Sequence, residues 1–454
     1  MSDRSIRRSQ LIQPFGVGAI YDLGDESLVV TDISQWGRNN GARLEQRRLV
    51  RLEAQLRTSH FKLPPVPRGQ SDRNPERVTL YRFPEWLFCS SCRRMYRWSR
   101  KREAALDGGK PVCRSANCSS RRTLVPVRFV AACSDGHLMD VPWVRWAHSK
   151  RSEGREGRCE NPDLRFRSRK GGGSGLGALE VFCASCKSKR SLQGITAPGV
   201  LKSIGIGCDG RQPWQRRDDA RQCSCDPAVV QRGESNLHFS RVVSALDIPR
   251  GSVDSELNDD LIDLIRTNYN FVKLCAAARS SVTWDSDPAP GMLAGFISDD
   301  LDCSKEVVFD VVRSELNPAG PDEDLSLEGA GPPDDATEQA LLAEEWTVLT
   351  GNPGELADYA GFDAEVRQLE SGPRWLTRVI ERVVLVRKLR EVRAFVGFSR
   401  LDQASAGGFV RADLGRALPW LPAIEVFGEG VLLVIAEDVL RAWQLRHESS
   451  IEER

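Results

Sequence analysis

The sequence predicts an α+β, multidomain protein in which zinc-ribbon-like modules are inserted in a mixed α/β scaffold. Three observations lead there. Eleven of the 13 cysteines fall between Cys89 and Cys225, many of them as close pairs. Short β-branched or alternating stretches fill the first half, and apolar residues at i, i+3, i+4 spacing take over after residue 232. The 454-residue length leaves room for roughly two to four domains and at least one sizeable core.

Residues 1–80 read as a mixed α/β region. RRSQLIQPFGVGAIYDL is turn-rich, punctuated by Gly16 and Gly18, and SLVVTDI has strand character. The Gly16-x-Gly18-Ala19 run lacks the Lys-Ser/Thr of a phosphate loop and the third glycine of a dinucleotide fingerprint, so it is weak ground for a phosphate site. Leu44, Leu49, Leu52 and Leu56 give residues 40–60 helical spacing. Residues 81–232 form a basic, cysteine-bearing region. VTLYRFPEWLFC feeds the first cysteine pair as a strand, and LVPVRFVAAC alternates as a strand does. The glycine loop in RSRKGGGSGLGALEVFC precedes the strand that delivers Cys183, and its composition reads as mobile rather than as a phosphate cradle. Residues 233–316 are helical through SELNDDLIDLIRTNY and KEVVFDVVRSELN, and 317–337 are an acidic, Pro/Gly-rich linker. Residues 338–454 restart with a helix in ATEQALLAEEWTVL and continue as an α+β region with a closing helix.

Cys89-x2-Cys92, 20 residues, then Cys113-x4-Cys118 is a four-thiolate spacing of the ribbon kind, two knuckles converging on one tetrahedral ion. A second set starts at Cys183-x2-Cys186 and is closed by Cys208 with either Cys223 or Cys225. Cys133-x3-His137-x10-His148-x10-Cys159 offers the ligand types for a third ion, but its spacings equally suit core histidines beside Trp143 and Trp146. Zinc is the expected ion, at two sites with a third left open. Cys275 and Cys303 stand alone and read as ordinary thiols. MSDRSIRRSQ has no apolar core of a secretory signal, and no run of 18 apolar residues follows, so the expectation is a cytoplasmic protein that does not enter membranes. Reduced thiols there favour metal over disulfide.

The net charge of +1 hides a segregation. Residues 1–232 hold 43 Lys+Arg against 23 Asp+Glu, and residues 233–454 hold 21 against 40. A basic, mostly arginine half points to a polyanion such as DNA. The candidate contacts are Arg93, Arg94, Arg97 and Arg100, interleaved with Tyr96 and Trp98, and Arg165, Arg167, Arg169 and Lys170. Tyr96 and Trp98 serve equally well as ribbon packing. No GKS/T loop, nucleophile elbow or HExxH motif occurs, which excludes the usual ATPase and hydrolase signatures. The alternative enzyme reading is a zinc hydrolase or nuclease centred on DGHLMD, with Asp135, His137 and Asp140; a pure protein scaffold is the other.

Several long motifs resemble one known family. RRSQLIQPFGVGAIYDL, VPVRFVAACSDGHLMDVPWVRWAH, the CxxC with QRGESNLHFSRVVSALDIP, then KLREVRAFVGFSRL and PAIEVFGEGV look in order like DrmB, the helicase-associated component of the bacterial DISARM anti-phage system. The resemblance implies a DrmA-like helicase partner that carries the ATPase activity, a complex engaging phage DNA, and zinc on Cys89, Cys92, Cys113, Cys118, Cys183, Cys186 and Cys208. It also favours Cys223 over Cys225, because a family cysteine precedes the QRG motif by about seven residues. The family pattern runs on into a further C-terminal module that this sequence, ending at SSIEER, does not include.

Overall fold

The longest strand, Ile380–Ser399, organises the molecule. Its VVLVRKLREVRAFVGFS sequence is rich in β-branched and aromatic residues, which suit a pleated, half-buried surface. It pairs antiparallel with Trp420–Ile435 along one edge. Along the other edge lie Phe239–Leu246 and Phe362–Arg367, end to end. Trp420–Pro422 then runs parallel to His60–Lys62, which pairs with Gln46–Arg47. With Val410–Arg411 this makes a seven-stranded sheet. The computed structural model describes residues 6–36, 46–47, 49–65, 78–106, 109–149, 159–169, 174–248, 259–278, 287–301, 303–316, 335–351, 361–367, 372–403 and 408–451. The architecture is α+β, with several small sheets beside the large one.

One core therefore unites chain ends that local patterns assign to separate regions. Leu11, Ile12, Val29, Val30 and Phe61 pack with Val243, Val392, Phe395 and Phe398. Gly16 and Gly18 owe their identity to this packing. A Cβ at either would lie 2.4 Å from an atom of the Phe395 or Phe398 ring, and Gly18 also has φ +83°. The glycines let the opening loop lie on two phenyl rings. The helical spacing over 40–60 yields a helix only at Val50–Leu56, closed by Arg57 at φ 49°; residues 37–45 lie outside the described residues.

Helices Asp259–Thr267, Phe271–Ala278, Pro288–Leu301 and Lys305–Leu316 surround a separate core of Ile265, Leu274, Ala294, Ile297, Val308 and Val312. Residues 317–334 lie outside the described residues, and a helix begins at Asp335. It is tied to the large sheet by Glu345, which accepts from Arg51 at 2.6 Å and from the Leu246 amide at 2.8 Å. No helix among the described residues is long and apolar enough to cross a membrane.

The cysteine-bearing region builds three small antiparallel sheets. Met95–Arg97, Trp86–Cys89 and Leu124–Pro126 form the first. Leu164–Ser168, Leu179–Cys183 and Lys189–Ser191 form the second. Leu138–Asp140, Phe129–Ala132 and Ala228–Gln231 form the third. Trp143, Trp146, Phe129, Val181 and Leu201 fill the core between the last two.

Candidate metal centres

Each small sheet ends in a cluster of metal-ligand atoms. Cys89, Cys92, Cys113 and Cys118 form one group, with all ligand atoms within 4.8 Å of one another. The Cys89 and Cys118 sulfurs are 3.8 Å apart, and those of Cys92 and Cys113 are 3.7 Å apart. A tetrahedron with Zn–S bonds of about 2.3 Å has edges of about 3.8 Å, so the donor set fits an ion of zinc's size and coordination.

The other eight ligands also meet in fours, but not in the sets that spacing predicts. Cys133 and His137 join Cys208 and Cys223, while His148 and Cys159 join Cys183 and Cys186. Strand pairing dictates the exchange. Cys133 and His137 flank the tight turn between Phe129–Ala132 and Leu138–Asp140, where the Cys133 amide donates to the His137 carbonyl at 3.2 Å. Their ligand atoms lie 3.4 Å apart, so an ion held by one would also be within reach of the other. Ala228 pairs with Ala132, which carries the segment holding Cys208 and Cys223 to the same turn. The Cys208 sulfur is 3.5 Å and the Cys223 sulfur 4.0 Å from Cys133. His148, at the end of helix Trp143–His148, points its Nε2 at Cys186 Sγ, 3.1 Å away. Leu164 pairs with Cys183, which brings the Cys159 sulfur within 3.9 Å of Cys183 Sγ. Cys225 lies beside the second centre, in an overlapping set with Asp135 and Cys223.

Both CxxC turns have one backbone solution. Arg93 and Lys187, directly after the second cysteine, each sit at φ 63°. Each donates its amide to the carbonyl of the first cysteine, at 2.9 Å in both turns. Serines two residues past a ligand support both sites. The Ser120 hydroxyl brings the Cys118 thiol down to about 6. Burial raises the Cys186 thiol, but hydrogen bonds from Ser188, Cys183 and His148 together outweigh it and draw the group to about 6. The crowded neighbours move the other way. Burial, reinforced by the other thiols, pushes Cys92 up to about 12, and the Cys208 thiol with burial pushes Cys133 to about 12. Thiols packed this closely resist ionising together unless a cation neutralises them. His148 is oriented as a ligand: its Nδ1 donates to the Val144 carbonyl at 2.6 Å, which turns Nε2 toward Cys186.

Arg400 stands behind the second centre. It is fully buried, donates to the carbonyl of Gly136 inside the Cys133–His137 turn at 3.0 Å, and reaches the Gly18 carbonyl at 2.8 Å. One guanidinium thus ties the ligand turn to the opening loop and the large sheet.

The predicted nucleic-acid residues divide sharply. Arg94 and Arg165 share Asp163, at 3.0 and 3.6 Å, and Arg167 and Arg169 share Glu180, at 2.7 and 3.9 Å. Arg97 pairs with Glu85 at 3.1 Å, and Arg100 bonds the carbonyls of Pro213 and Gln215. Arg93 is exposed beside the first centre, and Lys170 lies outside the described residues, as does the glycine run that follows it to residue 173. Tyr96 and Trp98 pack in the first module, with the Tyr96 hydroxyl 3.1 Å from Cys113 Sγ. Of the three DGHLMD groups, Asp135 lies 3.3 Å from the Cys223 sulfur, beside the set that holds His137, while Asp140 stands apart. Asp140 accepts from the amides of Glu85 and Trp86, at 3.2 and 3.3 Å, and His137 belongs to a complete four-ligand set.

Residues 7–239 match a family described as a domain of unknown function, DUF8724. Along its length the chain is similar to the DISARM protein DrmB of Bacillus paralicheniformis, with 26% identity over 442 residues. That alignment covers 95% of this chain and 70% of the relative.

Proposed function

Because this chain belongs to the DUF8724 family and is DrmB-like over nearly all its length, we propose that it is a non-catalytic, zinc-carrying subunit of a DISARM anti-phage assembly. It works in the cytoplasm beside a DrmA-like helicase and helps to hold invading DNA. The observation that carries this reading is the end-to-end likeness to a DISARM protein in a chain with three preformed four-ligand groups. Zinc at each would fold modules whose own cores are small, and filling all four positions leaves no open site for a reacting water. The segregation of charge supports a polyanion partner for the basic half.

The test is co-expression of the full chain with the helicase subunit of its own locus. The expected result is a stable complex with three zinc ions per copy of this chain, whose DNA affinity drops steeply between 50 and 200 mM salt, by about 10³-fold or more. Metal-dependent cleavage of DNA by the chain alone would favour a hydrolase instead. A zinc-loaded complex without DNA affinity would favour a scaffold.

A further inference from the structure

The predicted arginine strips are largely neutralised by neighbouring acids, and Arg100, which is not, faces a cleft. A cavity of about 440 Å³ opens between the first module and the 206–220 segment. It continues into a second, of about 570 Å³, that shares Glu85, Arg97, Arg211, Pro213 and Arg217 with it. Together they are lined by seven arginines against three carboxylates, those of Glu85, Asp140 and Asp209. Among the described residues, Arg100, Arg102, Arg145, Arg216 and Arg217 have no carboxylate partner. Asp218 and Asp219 follow on the same turn but do not line the cleft, and Asp219 accepts the Arg216 amide at 2.9 Å. The inner cavity mixes the apolar Trp86, Met139 and Ile206 with the charged Asp140, Arg145 and Asp209; Trp86 is partly exposed, whereas Trp143 is fully buried.

We propose that this cleft binds a nucleoside phosphate, with the unpaired base against Trp86 in the inner cavity and the phosphates on the Arg102, Arg216 and Arg217 rim. The volume lies in the range of small-ligand sites. A partly exposed tryptophan such as Trp86 can stack on the π-face of any base, and arginine forks match phosphate oxygens. A concave pocket of this kind admits an unstacked base and excludes a paired one. The ligand is a nucleotide unit of single-stranded DNA, which rests on the DNA reading above, or a free nucleotide of the same chemistry.

The test is fluorescence anisotropy with the full chain across a salt series, of a labelled single-stranded oligonucleotide and, separately, of fluorescently labelled ATP. Arg216→Gln with Arg217→Gln removes two phosphate contacts. This lowers the slope of log K on log salt by about 1.4 and the affinity at 0.1 M salt by about 25-fold. Trp86→Leu weakens binding without changing the slope. Arg167→Gln with Arg169→Gln, on the acid-neutralised strand, serves as the control and leaves affinity within about twofold. Zinc content of each variant reports that its modules are intact. Oligonucleotide binding that survives Arg216→Gln/Arg217→Gln overturns the cleft while leaving the DNA reading in place. ATP binding that is lost in the double variant, with no oligonucleotide binding by wild type, supports the cleft and removes the DNA reading from this chain. Binding of neither ligand overturns both.

Discussion

Combining Cys133→Ser with His148→Ala separates the ligand sets found here from those that spacing suggests. In the structure the two residues serve different clusters, so the double variant falls from three zinc ions per chain to one. If Cys133, His137, His148 and Cys159 shared an ion, the same variant would keep two. Cys183→Ser with Cys208→Ser gives a second, independent version of the comparison, again with one ion expected. The size of the effect follows from the ligand count. A structural zinc site is worth about 10–16 kcal/mol at neutral pH, and removing one of four ligands forfeits on the order of a quarter of that, or two to three powers of ten in affinity. A competing chelator at a fixed concentration then strips the altered site and spares the intact ones. Elemental analysis after chelator dialysis reads the stoichiometry. Thiol labelling reports which cysteines are released: Cys208 and Cys223 with Cys133→Ser, and Cys159, Cys183 and Cys186 with His148→Ala. Two ions retained in both double variants would refute the grouping and the strand-pairing argument behind it.

Gly18→Ala places a methyl group against the Phe398 ring at a left-handed backbone position, and should destabilise the protein by about 2–4 kcal/mol in urea titration. A loss under about 1 kcal/mol would contradict the contact. His238 is half-buried, stacked on Phe398 and near Arg400, and desolvation with that charge depresses its imidazole to about 3. The unfolded chain takes up a proton near pH 6.5 and the folded one does not, so stability is lost as pH falls. Between pH 7.5 and 5.5 wild type should lose about 1.3 kcal/mol more than His238→Phe, as denaturant midpoints at each pH would show.

Local signals carried the metal chemistry a long way. The CxxC pairs, and the serines two residues past Cys118 and Cys186, are visible as short patterns because each knuckle is a single turn. The exchange of Cys133 and His137 with Cys183 and Cys186 was not legible, because it depends on which strands pair across up to about a hundred residues. Nor was the fate of the arginines. Asp163 and Glu180 each neutralise a pair of them, one from the same strand in both cases, yet the alternation that puts these side chains on one face is lost in a charge count. Arg216 and Arg217 stand beside Asp218 and Asp219 in sequence and so read as balanced, although only the arginines line the cleft. Gly16 and Gly18 resembled a fragment of a phosphate loop, but their partners are two phenyl rings nearly 400 residues away.

The parallel pairing of His60–Lys62 with Trp420–Pro422 also sets a timetable for biosynthesis. Their separation of 360 residues takes about 20–70 s to synthesise at about 5–20 residues per second. Throughout that interval the opening segment waits for its partner strand, while the cysteine modules have every ligand they need once Cys223 is made, well before Trp420. Loading with metal can therefore run ahead of closure of the large sheet. The opening segment, with its apolar Leu11, Ile12, Val29 and Phe61, is the part of the nascent chain most in need of a chaperone.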